Sequence, residues 1–143
     1  MGWEGVISRI LIGIDGSEYA DKAFEYATSL AQKFENSHLL IVNIIEKFAT
    51  VGHSISVELE RERNEMLRKY QDKASSMGLK SVDVIKEEGG SAAKQILEIS
   101  LRENIDTIVI GSRGQYLTLE ESIIGSTSYK LAQSAKCTII IVR

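Results

Sequence analysis

Five short apolar runs divide the chain at nearly regular intervals. They lie at Ser8–Ile14, His38–Ile45, Ser81–Glu87, Thr107–Ile110 and Cys137–Val142. Four of these runs are apolar almost throughout, which is typical of strands buried on both faces of a parallel sheet. The run at Ser81–Glu87 alternates between apolar and polar residues, so we predict that this strand lies nearer an edge of the sheet.

Between these runs, apolar residues recur at spacings of three and four, which predicts four helices. The first follows Ser17, a candidate N-cap, and the third follows Ser91 and runs to about Glu103. The fourth is predicted at Ser126–Ala135. The apolar stripe of the first helix consists of Ala20, Ala23, Phe24, Ala27, Leu30, Ala31 and Phe34.

The second predicted helix, Val57–Met77, is the longest, and Gly78 suits the left-handed residue that ends many helices. The mixed-charge run Glu58–Arg63 near its start is interpreted as a solvated turn that projects past the sheet, and Glu46–Ser56 before it as a loop. The expected apolar face of the helix consists of Leu59, Met66, Leu67, Tyr70, Ala74 and Met77.

Strands that alternate with helices of crossover length predict an α/β fold, in which a parallel sheet carries helices on both faces. In such sheets ligands bind outside the carboxyl ends of the strands, where the strand order reverses. Asp15, the residues after Ile45, Gly90 and the segment Gly111–Gly114 all follow predicted strands. We therefore expect these residues to converge on one crevice.

The composition narrows the class of protein. A chain of 143 residues suits one domain spanning residues 1–143, and the hydrophobic fraction of 43% and charged fraction of 26% are typical of a globular protein. The net charge of −3 gives no basis for a nucleic-acid-binding surface. No apolar stretch approaches the roughly 18–20 residues that cross a bilayer, and Met1–Gly5 does not resemble a secretory signal. We predict a cytoplasmic protein without a membrane partner.

The single cysteine, Cys137, lies in the last apolar run and is interpreted as a small buried hydrophobic residue, because burial makes a thiol less reactive. The two histidines, His38 and His53, are too few for a histidine-rich metal site, so we expect solvent-exposed or capping roles for them.

Two glycine-containing segments carry the candidate chemistry. Gly111-Ser112-Arg113-Gly114 follows a predicted strand, and Gly125-Ser126-Thr127 begins a predicted helix. Glycine lets the backbone approach a ligand closely, and the amides and positive dipole at a helix start attract phosphate oxygens. An isolated Gly-x-x-Gly is more often a simple turn. The pairing of the two segments favours an anion site.

Catalytic motifs are missing from the sequence. There is no Gly-x-Ser-x-Gly, no His-Glu-x-x-His and no Walker loop, which argues against a hydrolase, a metalloprotease or a dedicated ATPase. The sequence Asp15-Gly16-Ser17 is not the glycine fingerprint of a Rossmann dehydrogenase. A phosphoacceptor receiver domain would need an acidic cluster that Asp15 and Lys86-Glu87-Glu88 do not provide.

Over nearly its whole length the chain resembles the universal stress protein family. The resemblance rests on Ile14-Asp15-Gly16-Ser17, on Glu88-Gly89-Gly90-Ser91-Ala92 and on the two glycine segments in this order and spacing. It implies an open five-stranded sheet of strand order 3-2-1-4-5, of the adenine nucleotide alpha hydrolase-like type. It also implies a homodimer joined through the last strand, here Cys137–Arg143.

One branch of the family binds ATP and another does not. In the binding branch the acidic residue that closes the first strand and an aliphatic residue of the second contact adenine, which maps onto Asp15 and Val42. The glycine segments hold ribose and phosphates of ATP, AMP or ADP, with Mg²⁺ as a further candidate ligand. The candidate binding residues are Ile14, Asp15, Gly16, Ser17, Val42, Gly90, Gly111, Ser112, Arg113, Gly114, Gly125, Ser126 and Thr127.

The loop Gln115–Ile124 departs from the family's nucleotide-binding pattern because it is one residue longer and contains Tyr116, Glu120 and Glu121. Carboxylates near a triphosphate repel it by about 1 kcal/mol per pair at 4 Å in water, unless Mg²⁺ intervenes. We expect these features to weaken ATP binding rather than abolish it. Two functions therefore remain open: a dimeric switch that binds an adenine nucleotide, and a dimeric interaction protein of the same fold that does not. In either case, any ATP hydrolysis is expected to be slow and incidental.

Overall fold

The computed structural model describes residues 7–46, 56–114 and 124–143. Strands and helices alternate along this part of the chain, as the sequence predicts. The strands are β1 (Arg9–Gly13), β2 (His38–Glu46), β3 (Val82–Gly89), β4 (Thr107–Gly111) and β5 (Thr138–Val142). The helices are α1 (Glu18–Lys33), α2 (Ser56–Ser76), α3 (Ala92–Arg102) and α4 (Ser126–Ser134).

The five strands form one parallel sheet in the order β3-β2-β1-β4-β5. This order confirms the expected topology, and the alternating strand β3 lies at an edge as predicted. The strand order reverses between β1 and β4, which places the topological switch point there. All five carboxyl ends meet at the same edge of the sheet.

Helices cover both faces of the sheet, because successive residues of a buried strand point in opposite directions. Ile10 and Ile12 of β1 pack with Phe24 and the other apolar residues of α1 and α2, whereas Leu11 packs with residues of α3 and α4. Ile10, Leu11 and Ile12 of β1 are all fully buried. The sheet is therefore the shared layer between two apolar cores.

The predicted helix ends agree with the structure. The hydroxyl of Ser17 accepts a hydrogen bond from the amide of Ala20 at 3.1 Å, which caps α1. The hydroxyl of Ser91 accepts from the amide of Lys94 at 3.4 Å at the start of α3. Gly78 follows α2 with φ at +87°, the left-handed conformation that glycine adopts without strain.

Helix α2 differs from its prediction at two positions. Leu67 and Ala74 are buried as expected, but Leu59 is 49% exposed, so its assignment to the apolar face is wrong. Arg63, expected within a solvated charge run, is buried. Arg63 is buried because its guanidinium donates to Asn43 of β2 and to Glu87 and Glu88 of β3.

Two further side chains differ in part from expectation. Cys137 is only half-buried, and partial burial raises the pKa of its thiol. His38 is neither simply exposed nor a cap: its Nδ1 lies 2.5 Å from the hydroxyl of Ser81, and its Nε2 lies 3.3 Å from the carboxylate of Asp83. His38 therefore joins β2 to β3 at the amino edge of the sheet, while His53 falls outside the described residues.

Tyr70 supports the contact between the two helices on one face. Its ring meets that of Phe24 edge to face with centroids 4.8 Å apart, and its hydroxyl donates to the carboxylate of Asp21. Burial, reinforced by this hydrogen bond to a carboxylate, raises the pKa of Tyr70. The phenol stays neutral and holds α2 against α1.

Gly111, at the end of β4, lies directly against the start of α1. A Cβ atom at this position would lie 2.8 Å from the backbone carbon and carbonyl oxygen of Tyr19. No residue with a side chain fits at this distance without a shift of the backbone. Gly111 thus permits α1 to pack closely on β4, which is a structural role apart from any ligand.

We therefore predict that Gly111→Ala destabilises the fold by about 1–3 kcal/mol, the usual cost of overpacking a core. Gly90→Ala is the matched control, because a Cβ there meets nothing within 4 Å. The control is expected to keep the free energy of unfolding or raise it slightly. Urea denaturation measures both variants, and equal stability of the two would contradict the close-packing role of Gly111.

Candidate functional site

The two glycine segments meet at the carbonyl oxygen of Ser112. The amide of Gly125 donates to this oxygen at 2.6 Å, and the hydroxyl of Ser128 donates to it at 3.1 Å. On the other side, the amide of Ser112 donates to the carbonyl of Val142 at 2.7 Å. The loop after β4, the start of α4 and the end of β5 are thereby joined at one residue.

This junction uses two of the amides that the sequence offers for anion binding. The amides of Ser112 and Gly125 both donate within the protein. The N-cap of α4 is Gly125, which provides no side-chain cap, so no hydroxyl or carboxylate of the N-cap competes for the first-turn amides. The amides of Ser126 and Thr127 are therefore the best-placed anion donors, and the helix dipole adds to their attraction.

A cleft of about 400 Å³ opens beside this helix start. Its volume falls in the range of roughly 300–1,000 Å³ that is typical of small-molecule sites. Helices α3 and α4 both begin at its walls, and Lys130 is the cation that the described residues contribute to the lining. The lining residues are Glu46, Gly89, Gly90, Ser91, Ala93, Ser126, Thr127 and Lys130.

The two sides of this cleft differ in charge. On the α3 side, the carboxylate of Glu46 accepts a hydrogen bond from the amide of Ala92 at 2.8 Å. This contact occupies a first-turn amide of α3 and adds a negative charge to that wall. On the α4 side, hydroxyls of Ser126 and Thr127 accompany the ammonium group of Lys130. An anion in the cleft is therefore attracted to the start of α4 and repelled by the carboxylate of Glu46.

Asp15 lies at the carboxyl end of β1, across from the glycine loop. Its Oδ1 accepts from the amide of Ser17 at 2.9 Å, and Gly16 between them has φ at +86°. Its Oδ2 lies 3.1 Å from the place where a Cβ on Gly114 would be. The turn thus fixes the carboxylate with one oxygen toward Gly114, and both residues are exposed.

Several predicted site residues have packing roles in the structure. Ile14 and Val42 are buried in the two cores, 3% and 1% exposed. Ile44, two residues after Val42 and on the same face of β2, is only partly buried. The guanidinium carbon of Arg113 lies 5.9 Å from the centre of the Tyr19 ring, which places this cation over α1. On β2, Ile44 is therefore the aliphatic residue that a ligand can reach more easily.

The predicted set divides into three groups. One lines the cleft: Gly90, Ser126 and Thr127. A second forms the junction and the opposite turn: Asp15, Gly16, Ser17, Ser112, Gly114 and Gly125. A third packs against other elements: Ile14, Val42, Gly111 and Arg113. The loop residues that are expected to weaken ATP binding, Tyr116, Glu120 and Glu121, lie outside the described residues.

Five lining residues are absent from the predicted binding set: Glu46, Gly89, Ser91, Ala93 and Lys130. Lys130 and Glu46 are the charged ones. Lys130 lies four residues after Ser126, a helical spacing that places both on one face, so this signal was present. Glu46 ends β2, and nothing in its local sequence shows that it reaches the amide of Ala92. Within the described ranges, no group of three or more histidine, cysteine or acidic side chains is placed to hold a metal ion. Among the same residues, no helix is long and apolar enough to cross a membrane.

Comparison with known proteins agrees with this architecture. The model of the universal stress protein family matches residues 7–143. Universal stress protein YxiE of Bacillus subtilis is 26% identical over 152 residues, which cover 96% of this chain and 100% of the relative.

Two solved structures share the fold. Universal stress protein UspA from Lactobacillus plantarum superimposes with a TM-score of 0.81 at 20% identity, covering 96% of this chain and 99% of its own. A universal stress protein in complex with cAMP has a TM-score of 0.75 at 20% identity, covering 96% and 98%. The family match over nearly all of the chain establishes that the protein belongs to the universal stress protein family.

Proposed function

We propose that this chain is a single-domain cytoplasmic regulator that binds an adenine nucleotide, ATP, ADP or AMP, at the carboxyl edge of its sheet. The observation that carries the proposal is the cleft of about 400 Å³ beside the start of α4, where no side chain caps the first-turn amides. The hydrogen bond from the amide of Gly125 to the carbonyl of Ser112 places the glycine loop next to this helix start. Family membership supports the same function, and one structure of similar fold is a complex with cAMP.

The charge asymmetry of the cleft gives the bound nucleotide a direction. Its phosphates lie against the amides and hydroxyls of Ser126 and Thr127, within reach of Lys130. Its base lies toward Asp15, whose carboxylate accepts hydrogen bonds from an exocyclic amino group. The exposed part of Ile44 provides an apolar surface on the same side. Mg²⁺, when present, is bound mainly by the phosphates of the nucleotide.

The proposed activity is binding rather than catalysis. Ligand binding stabilises the arrangement of the glycine loop relative to α4 and favours one state of the dimer or of a partner surface. Such a switch needs differential affinity for two states and no chemical step. Hydrolysis of ATP is expected to be slow and incidental.

An alternative function is favoured by one observation. The amides of Ser112 and Gly125 are already used within the protein, so fewer donors face a ligand than the sequence offers. A dimeric interaction protein with the same fold would need no nucleotide in the cleft. The two functions differ in whether ligand binds.

The dimer of the proposed switch forms through β5. This strand lies at an edge of the sheet, and Ile139, Ile140, Ile141 and Val142 are all partly exposed. The amide of Thr138 and the carbonyl of Val142 point toward β4. Because backbone direction alternates along a strand, the amides of Ile139 and Ile141 point outward, toward the position of a second copy.

Thermal unfolding tests nucleotide binding directly. We predict that AMP or Mg-ATP at 100 times its dissociation constant stabilises the protein by about 2.7 kcal/mol, which raises the melting temperature by several degrees. Gly114→Val should fold but show no shift, because its side chain would enter the space beside Asp15 Oδ2. The alternative function would be supported if the melting temperature does not shift and the denatured, purified protein releases no nucleotide.

The contribution of Lys130 is tested by charge removal. We predict that Lys130→Gln weakens AMP binding about fivefold, since a cation near a phosphate contributes about 1 kcal/mol in water. Lys136→Gln changes the net charge by the same amount, but Lys136 does not line the cleft. The affinity of this variant for AMP should therefore match that of the unmodified protein. Isothermal titration calorimetry measures both, and equal weakening would indicate a general charge effect.

The dimer is tested by removal of one outward amide. Ile141→Pro is expected to shift the protein from dimer to monomer, because proline cannot donate to a paired strand. Ile141→Ala loses a similar apolar contact but retains the amide, so it should remain a dimer. Sedimentation equilibrium distinguishes them, and a dimeric proline variant would place the interface elsewhere.

A further inference from the structure

Arg63 is a buried cation in the interior of α2. Its side chain is only 5% exposed, although an arginine is seldom buried unless its charge and donors are satisfied. A guanidinium carries five N–H donors, and here each has an acceptor. The acceptors are Asn43 Oδ1 at 2.5 Å, Asn43 O at 3.1 Å, Glu87 O at 2.9 Å, Glu88 Oε1 at 3.3 Å and Glu60 Oε2 at 3.5 Å.

Asn43 extends this contact to the first strand. Its side chain is buried, and its Nδ2 donates to the carbonyl oxygen of Ile14 at 2.7 Å. The side-chain amide of Asn43 thus accepts a hydrogen bond from Arg63 with its oxygen and donates one to Ile14 with its nitrogen. We call this arrangement the Arg63–Asn43 clamp: it joins α2, β2 and the residue that precedes Asp15.

Helix α2 touches the same turn a second time. The sulfur of Met66 lies 3.5 Å from the place where a Cβ on Gly16 would be. Ile14 and Gly16 flank Asp15, so α2 supports the chain on both sides of that carboxylate. The position of Asp15 relative to Gly114 therefore depends on contacts made by α2.

Local charge shows that Arg63 does not serve as an anion ligand itself. Two carboxylates, Glu60 and Glu88, face its guanidinium, and Lys86 donates in turn to Glu60. The hydrogen bond from Lys86 is the largest influence that lowers the pKa of Glu60, so this carboxylate is ionised at neutral pH. With two positive and two negative groups, the cluster has no excess charge to attract a phosphate.

Stability alone does not account for the clamp. Replacing a buried ion network with apolar residues is often neutral or stabilising, so a chain that needs only to dock α2 has simpler solutions. Leu67 and Ala74 already bury the apolar face of α2 in the same core as Phe24. What the clamp adds is a fixed direction for the Ile14 carbonyl, because a planar guanidinium constrains its partners in orientation as well as in distance.

We propose that Arg63 and Asn43 are positioning residues of the candidate site, which hold Ile14 and thereby the Asp15 carboxylate in place against Gly114. This inference deepens the proposed function and rests on it for the binding measurement. The clamp acts through the backbone of β1 and does not touch the ligand. Its loss moves Asp15 while leaving the phosphate end of the cleft intact.

Asn43→Asp separates the two contacts of the clamp. Aspartate still accepts from Arg63, but it cannot donate to Ile14, and its second oxygen repels the carbonyl there. We expect AMP affinity to fall about tenfold or more, because the hydrogen bond between the Asp15 carboxylate and the base is weakened. In the ligand-free protein, the ¹H–¹⁵N resonances of Ser17 and Gly114 should shift, while those of Leu67 and Ala74 stay unchanged.

Two companion variants complete the test. Arg63→Lys keeps the charge but cannot span Asn43, Glu87 and Glu88 together, so it should shift the same resonances and weaken AMP binding. Arg102→Gln removes an exposed ion pair to the side chain of Glu87 without touching the clamp, and should change neither measurement. If Asn43→Asp does not fold, Arg63→Lys provides both measurements.

Unchanged Ser17 and Gly114 resonances in the folded clamp variants would overturn the inference. So would a loss of AMP affinity no greater than in Arg102→Gln. If the unmodified protein binds no AMP, the proposed function fails, yet the ligand-free spectra still decide whether the clamp positions the β1–α1 turn. The two proposals can therefore fail separately.

Discussion

The structure depends on a sheet whose central strands are apolar on both faces. A strand such as Ile10-Leu11-Ile12 must be covered from two sides, because each side chain exposed to water would forfeit its burial energy. Parallel pairing meets this need, because the chain must cross back over the sheet before each new strand, and the connecting helix covers one face. It also brings every carboxyl end to one edge, where polar loops gather without entering either core.

The same constraint explains why much of the fold could be predicted from the sequence. Runs such as Thr107–Ile110 and the stripe of α1 reflect burial directly, and the caps at Ser17 and Ser91 satisfy amides that every helix start exposes. The strand order came from the family resemblance, because apolar periodicity does not specify which strands are neighbours. The structure supplied that order and its registers.

The contacts of the candidate site were harder to predict from the sequence, because they join residues that are far apart in the chain. No local pattern shows that Arg63 would be buried, since its donors are satisfied by Asn43 and Glu87 on two different strands. In the same way, Glu46 reaches an amide 46 positions away. The amide of Gly125, which looked available for an anion, is used by a carbonyl of the other glycine segment. Polar partners of this kind are decided by tertiary geometry alone.

Two hydrogen bonds of Ser112 connect the two ends of the proposed switch. The carbonyl of Val142 accepts from the amide of Ser112, while the carbonyl of Ser112 accepts from the start of α4. A subunit that pairs along the outer side of β5 would restrain this strand and, through Val142 and Ser112, the start of α4 beside the cleft. Assembly and ligand binding would then both act on Ser112, and neither would need to act through the two apolar cores.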